Sequence, residues 1–121
     1  MKIQIKRVYD EPGEEDGARF LVDRLWPRGL TKKKAKVDAW LKDLAPSAEL
    51  RKWFAHDPAK WTEFQSRYRE ELNNNPEQLV RLREEVAEGP VTLVYGAKDR
   101  LHNEAVVLQK LLSSYFDVSS S

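Results

Sequence analysis

Two short segments of the chain carry the side chains that could do chemistry, and each directly follows an apolar run. These side chains are Asp23, Arg24, Trp26 and Arg28 after the run 20–22, and Lys98 and Asp99 after the run 91–95. If the two runs are neighbouring parallel strands, both segments lie at the carboxyl edge of the sheet, where open parallel sheets bind ligands. Basic groups gathered there would suit a phosphate or a carboxylate, because arginine offers paired hydrogen-bond donors.

The basic residues at this edge are predicted to hold an anionic small molecule. Arg24, Arg28 and Lys98 would bind the anion, and Asp23 would orient the arginines. A structural alternative exists, because buried carboxylates are seldom unpaired and these cations could simply neutralise Asp23 or helix C-termini. Trp26 precedes a proline, which holds it extended, and it could either stack on the ligand or anchor the loop.

Two residues could move a proton if the protein catalyses a reaction such as acid–base hydrolysis. His56 is a candidate because an unperturbed imidazole titrates near neutral pH. Alternatively, His56 and Trp61 form a hydrophobic staple across the helix start at Asp57. Asp99 is a candidate by position, although an N-cap role for the last helix would explain it equally well. The residues alone leave open whether the protein is an enzyme or a binder.

The motifs predict neither a cofactor nor a metal ion. Asp23, Asp99 and His56 offer oxygen and nitrogen ligands, but their spacing follows no known metal motif. The chain has neither a G-x-G-x-x-G dinucleotide motif nor a G-x-x-x-x-G-K phosphate loop. It also has no cysteine, which excludes disulfides, thiolate zinc sites, iron–sulfur clusters and cysteine nucleophiles. We expect His102 on the surface of the first turn of the last helix.

The charges are unevenly distributed although the formal net charge is only +1. Six cations and no acid lie within residues 24–36, whereas five acids lie within residues 10–16. The plainest interpretation is that both stretches are solvated loops. An alternative function is nucleic-acid binding, in which the basic loop 24–36 contacts the phosphate backbone. A protein-interaction module, docking a partner on exposed helix faces, is a further alternative.

The pattern of apolar residues predicts strands near both ends of the chain and helices between them. Residues 2–9 begin with apolar and polar positions in alternation, and 20–22 and 91–95 are continuous apolar runs typical of buried strands. Helices are predicted at 39–44, 47–54, 58–72 and 76–88, with a last helix over 105–115. This order is typical of an α/β protein with a mostly parallel sheet of three or four strands and helices packed against it.

Length and composition predict one domain at residues 1–117 and a flexible tail at 118–121. Of the 121 residues, 40% are apolar and 34% are charged. This mixture is too apolar for a disordered chain and too charged for a membrane protein. Because we find neither a membrane-spanning stretch nor a signal-peptide pattern, we expect a cytoplasmic protein without a membrane partner.

Five stretches of the sequence resemble one bacterial family. They are 6–9 (KRVY), 22–29 (VDRLWPRG), 40–47 (WLKDLAPS), 50–58 (LRKWFAHDP) and 91–99 (VTLVYGAKD). In these stretches the chain is similar to the YeaO-like proteins, a family of unknown function, and the resemblance extends over about residues 3–112. The resemblance implies no established activity. More distant relatives carry cysteine and histidine after the last strand, and a chain without a thiol cannot share a cysteine mechanism with them.

Overall fold

Four parallel strands form one sheet in this protein. The computed structural model describes the backbone of residues 2–120 and the side chains of residues 2–116. The strands are β1 (Ile3–Arg7), β2 (Ala18–Leu21), β3 (Ala39–Trp40) and β4 (Val91–Tyr95). Their order is β1-β4-β2-β3, and Leu93 of β4 is in register with Ile5 of β1 on one side and Phe20 of β2 on the other. The predicted parallel pairing of the two apolar runs is therefore confirmed.

Five α-helices lie between and after these strands, so the α/β class is also confirmed. They are α1 (Lys32–Ala35), α2 (Ala48–Phe54), α3 (Trp61–Asn73), α4 (Pro76–Glu88) and α5 (Glu104–Ser120). Single 3-10 turns occur at Glu14–Asp16, Lys42–Leu44 and Pro58–Lys60. The helices predicted at 47–54, 58–72 and 76–88 thus form with nearly the expected bounds.

The helix boundaries follow from local capping chemistry. Ser47 Oγ accepts a hydrogen bond from the Leu50 amide at 3.1 Å and so begins α2. Asp57 Oδ1 accepts one from the Ala59 amide at 3.0 Å and begins the 3-10 turn that leads into α3. Pro76 occupies the first turn of α4. Backbone amides in a first turn form no hydrogen bond within the helix, so a proline there costs none.

Helices α2 to α5 pack against one face of the sheet. Phe20 and Leu93 from the sheet belong to the same buried cluster as Phe64 and Tyr68 from α3 and Leu108 from α5. The aromatic stripe of α3 is therefore part of the core rather than a stacking platform for bases. Burial of this cluster is the main favourable contribution to folding, at roughly 25 cal/mol per Å² of apolar surface.

The connection between β2 and β3 covers the opposite face of the sheet. Leu21 and Val94 directly follow Phe20 and Leu93, and alternate residues of a strand point to opposite faces. Leu21 and Val94 accordingly pack with Ala35 of α1 in a second buried cluster. The basic stretch 24–36 therefore contains one helical turn whose apolar residue holds it on the sheet.

A buried ion pair ties this connection to the sheet. Arg19 Nη1 donates to Asp16 Oδ2 at 2.6 Å, and the same guanidinium donates to the backbone oxygens of Ala35 and Lys36 at 2.9 and 3.1 Å. The Gly13 amide also donates to Asp16, at 3.0 Å. Burial acts to raise the pKa of Asp16, but the hydrogen bonds from Gly13, Arg19 and Lys6, with the charge of Lys6, together outweigh it and hold that pKa below its usual value.

Two local predictions are wrong. No α-helix forms at 39–44: Ala39 begins the edge strand β3, and the Leu41 amide donates to the Leu21 oxygen at 2.8 Å. Within this segment only the 3-10 turn Lys42–Leu44 is helical. The open edge of β2 offers backbone hydrogen bonds to the segment, and these favour a strand over a short helix. The acidic stretch 10–16 is also not wholly solvated, since Asp16 is buried against Arg19.

Helix α5 continues to Ser120. The predicted flexible tail at 118–121 includes Ser121, which lies outside the described residues, and its flexibility stays a prediction. Within residues 2–120, no helix has both the length and the apolar character needed to cross a bilayer.

We predict that Gly17→Ala destabilises the protein more than Gly29→Ala. Both glycines have a positive φ, +65° and +82°, so either alanine incurs the left-handed backbone cost of about 1–2 kcal/mol. At Gly17 the new Cβ would also lie 2.2 Å from the Pro90 carbonyl oxygen, whereas at Gly29 it would meet open space. Urea unfolding of both variants measures the difference, and equal losses in the free energy of unfolding would contradict the prediction.

Candidate functional site

A cleft of about 340 Å³ lies at the carboxyl edge of the sheet, on the face that carries the helices. The ends of β2 and β4 contribute Asp23 and Gly96, and the first residue of α5 contributes Glu104. Phe54 of α2 and Phe64 of α3 form an apolar wall. The cleft is therefore located where the sequence predicted a ligand site.

Asp23 joins the ends of three strands. Its Oδ2 accepts a hydrogen bond from the Gly96 amide at 2.8 Å, and its backbone oxygen accepts one from Trp40 Nε1 at 2.7 Å. A Cβ at residue 96 would lie 2.9 Å from the same Oδ2, so a larger residue there would force the Asp23 carboxylate to shift. The sequence predicted that Asp23 pairs with Arg24, Arg28 or Lys98, but within the described residues it forms no ion pair with any of them.

The Asp23 carboxylate instead lies in the cleft beside a second carboxyl group, that of Glu104. We call these two residues the carboxyl pair. Burial raises the pKa of Glu104 well above its usual range, and the hydrogen bond and negative charge of Asp23 raise it further. Arg51 opposes this rise only in part. The carboxyl pair therefore favours a state in which Glu104 keeps its proton beside Asp23.

Tyr68 lies behind the carboxyl pair in the core. It is fully buried, and its hydroxyl donates to the backbone oxygen of Leu44. Burial raises the pKa of Tyr68 well above its usual value, and the nearby charges of Glu104, Glu71 and Asp23 add to the rise. The tyrosine therefore stays neutral and adds no further negative charge beside the two carboxyl groups.

A histidine in the cleft is held by an aspartate outside it. Asp99 Oδ2 lies 2.8 Å from His102 Nδ1, while Asp99 Oδ1 accepts from the amides of Leu101 and His102 at 2.9 and 3.1 Å. The hydrogen bond from the Leu101 amide lowers the pKa of Asp99 most, and the hydrogen bond with the His102 side chain lowers it further. The ring of Trp61 meets His102 edge-on at 5.2 Å. Because Nδ1 of His102 is paired with Asp99, the other ring nitrogen, Nε2, is the one that can bind a ligand.

Three cations line the cleft. Arg24 donates through Nε to the Pro46 oxygen at 3.1 Å, which fixes its side chain at the end of β2. Arg51 and Lys52 are neighbours on α2, where both are exposed to solvent. The cleft thus combines a basic outer part with the carboxyl pair, which is more buried.

Of the predicted site residues, Asp23, Arg24 and His56 line the cleft. Arg28, Lys98, Asp99 and Trp26 do not. His56 is exposed and follows α2 in a left-handed conformation, with φ +56°. The Trp61 ring stacks on Phe64 and contacts His102 rather than His56, so the expected staple is not the local arrangement.

Three of the predicted residues, Arg28, Lys98 and Trp26, lie outside the cleft. Arg28 is exposed, and its backbone oxygen accepts a hydrogen bond from the Tyr9 hydroxyl at 2.9 Å. Lys98 is also exposed. Trp26 anchors its loop, because Nε1 donates to the Leu30 oxygen at 2.7 Å.

Asp99 caps the turn that precedes α5, not the helix itself. The residue that caps α5 is Asn103, whose Oδ1 accepts from the Val106 amide at 3.1 Å. Asn103 also donates to the Asp99 oxygen at 3.0 Å, which joins the two caps. Within the described residues, no three histidine or acidic side chains are grouped so that they could hold a metal ion.

Sequence analysis missed four titratable residues of the cleft, which are Arg51, Lys52, His102 and Glu104. The spacing of Asp99 and His102, three residues apart in a capping turn, was a usable signal for one of them. Arg51 and Lys52 gave no such signal, because exposed cations on a helix are ordinary until the helix is placed beside the sheet.

Comparisons with known proteins identify one family that matches nearly the whole chain. Residues 2–120 match the model of the inactive DUF488-N3 subclade. The chain belongs to this family. It is 43% identical over 114 residues to the uncharacterised protein YeaO of Escherichia coli. The aligned residues make up 94% of this chain and 99% of that protein. It is also 41% identical over 112 residues to an uncharacterised protein of Mycobacterium tuberculosis, covering 93% and 94%.

The resemblance to YeaO-like proteins is therefore confirmed. No solved structure matches this member of the subclade significantly. The geometry of the cleft is consequently the main basis for assigning a function.

We predict that Glu104→Gln stabilises the protein increasingly as the pH rises. A carboxyl group whose pKa is raised by folding binds more protons in the native state than in the unfolded state, so it lowers stability above its unfolded pKa of about 4.3. Glutamine removes that dependence and can still donate to Asp23. Melting temperatures near pH 4 should be equal, and at pH 8 the variant should melt several degrees higher, since 1 kcal/mol shifts Tm by roughly 2–8 °C.

Glu85→Gln, on the exposed surface of α4, is the matched control and should show no such trend. Asp16 and the other acids are present in both the unmodified protein and the Glu104→Gln variant. Their effect on the melting temperature therefore cancels when the two melting temperatures are subtracted. A difference in Tm that does not change with pH would contradict the assignment of the carboxyl pair.

Proposed function

We propose that the protein binds an anionic small molecule, bearing a phosphate or a carboxylate, in the cleft at the carboxyl edge of the sheet. The observation that carries this proposal is that Arg24, which follows β2, lines the same cleft as Arg51 and Lys52 of α2. Guanidinium groups bind phosphate and carboxylate through paired, charge-assisted hydrogen bonds. Binding at the strand ends is also the rule for open parallel sheets.

The size and lining of the cleft support a small ligand. Its volume of about 340 Å³ is near the lower end of the range of roughly 300–1,000 Å³ that is usual for small-molecule sites. Leu25, Phe54 and Phe64 supply apolar contact surface beside the polar groups. Such a lining suits a metabolite with one charged end.

Binding without catalysis is the form of the proposal that has most support. The described residues that line the cleft include no serine, threonine or cysteine that could act as a nucleophile. Acid–base hydrolysis by His56 and Asp99 has less support, because only His56 lines the cleft. The subclade to which the chain belongs is described as inactive, which favours a binding role in this chain as well.

We predict that Arg51→Gln weakens the binding of inorganic phosphate while Arg28→Gln does not. Arg51 lines the cleft, whereas Arg28 is an equally exposed arginine outside it. A hydrogen bond to a charged group contributes roughly 1.5–3 kcal/mol, so the loss should be about tenfold or more. Phosphate titrations followed by NMR amide shifts of Gly96 and Asn103 measure the affinity.

The titrations also decide the proposal itself. If phosphate leaves the amides of the cleft unshifted, or if both arginine variants weaken binding alike, anion binding in this cleft is wrong. A large fall in the melting temperature of the Arg51 variant would show a structural role instead.

Nucleic-acid binding is the second candidate function, and the surface of α1 favours it. Four lysines there are exposed, and none of them forms an ion pair with a carboxylate in the part of the chain that the structure describes; they are Lys32, Lys33, Lys34 and Lys36. They lie on the opposite face of the sheet from the cleft, so the two candidates can be tested with separate variants.

If this second function is correct, replacing Lys32, Lys33 and Lys34 by glutamine should flatten the salt dependence of oligonucleotide binding. Each lost phosphate contact reduces the slope of log affinity on log salt by about 1. Fluorescence anisotropy over a salt series measures the slope, and Lys110→Gln on α5 is the control. A flat line for the unmodified protein rejects nucleic-acid binding.

A further inference from the structure

We propose that the anionic ligand is a phosphorylated polyol, such as a sugar phosphate, whose hydroxyl groups bind the carboxyl pair while its phosphate meets the cations. This inference rests on the proposed anion-binding function and names the chemistry of the other end of the ligand. It follows from the way in which acidic and basic groups are divided within one cleft.

The two kinds of charge lie at different depths. Arg51 and Lys52 are exposed on α2, whereas Asp23 and Glu104 are more buried and adjoin the fully buried Tyr68. A phosphate that reached the carboxyl pair would be repelled by it and would lose the water around its own charge. The phosphate therefore belongs at the exposed basic side, and a different part of the ligand must meet the carboxyl pair.

The hydrogen-bonding capacity of the carboxyl pair fits hydroxyl groups. Asp23 already accepts the Gly96 amide, and the proton favoured by the raised pKa of Glu104 leaves the pair with both donor and acceptor capacity. A hydroxyl group donates and accepts at once, so neighbouring hydroxyls can satisfy both. His102 lines the same cleft, and with Nδ1 paired to Asp99 its other ring nitrogen offers a further polar partner.

The apolar wall suits the carbon skeleton of such a ligand. Phe54, Phe64 and Leu25 face the cleft and can pack against the C–H groups of a polyol. An ammonium group is the chemical rival to hydroxyls at the carboxyl pair. It is less favourable, because Arg51 already acts on Glu104 as a nearby positive charge.

Three small phosphates of equal carbon length separate these possibilities. Glycerol phosphate carries neighbouring hydroxyls, propyl phosphate carries none, and aminopropyl phosphate carries an ammonium group. NMR titration of the full chain at neutral pH should show glycerol phosphate binding about tenfold more tightly than propyl phosphate, since hydrogen bonds to charged groups contribute roughly 1.5–3 kcal/mol.

Glu104→Ala should remove this preference. Glycerol phosphate should then bind about as weakly as propyl phosphate, whose affinity should change little. Glu85→Ala on α4 is the matched control and should keep the preference for the polyol. The melting temperature of each variant shows that it is folded under the conditions of the titration.

The possible results distinguish the two proposals. If neither glycerol phosphate nor propyl phosphate binds, the anion-binding function itself is wrong. If both bind equally, or if aminopropyl phosphate binds most tightly, anion binding stands and the polyol assignment is wrong. A preference for glycerol phosphate that survives Glu104→Ala likewise overturns the role of the carboxyl pair.

Discussion

The hydrogen bond from the Gly96 amide to the Asp23 carboxylate is the contact on which the rest of the site depends. It joins the ends of β2 and β4, which are 73 residues apart in the chain. Because glycine leaves room for the carboxylate without any shift of its oxygen, the two strand ends approach closely, and the turn after β4 begins beside Asp23. Arg7 supports the same turn by donating to the oxygens of Ala97 and Gly96 at 2.8 and 3.2 Å. Glu104 is then brought to Asp23, and the carboxyl pair forms.

The nearly neutral net charge conceals two distinct electrostatic surfaces. On the helix-bearing face, the cleft places cations above a carboxyl pair whose proton is favoured by burial. On the other face, the Asp16–Arg19 ion pair and the Ala35 contact hold α1 so that its lysines face solvent. A buried ion pair is costly to break by removing one partner, at roughly 3–5 kcal/mol. The position of the basic segment is thus determined by packing and not by its own charges.

Much of the fold was predictable because its signals are local. The apolar run 91–95 became β4 without any shift of its bounds, and the capping residues Ser47 and Asp57 marked the helix starts where expected. The edge strand β3 was not predictable, because two residues carry no periodicity and their conformation depends on the open edge of β2. In the same way, the N-cap role offered for Asp99 belongs to Asn103, since capping depends on where the turn before α5 ends.

The sequence by itself predicted most of the elements, the parallel arrangement of the two apolar strands and the edge at which a site should form. It also identified Asp23 and Arg24 as residues of that edge and His56 as a candidate for proton transfer. Only the tertiary structure decided that Arg51 and Lys52 complete the basic side, that Glu104 faces Asp23 and that Arg28 and Lys98 lie elsewhere. The physical reason is that hydrophobic periodicity and capping act within a few residues, whereas the identity of the groups that share a cleft depends on how α2 and α5 pack against the sheet.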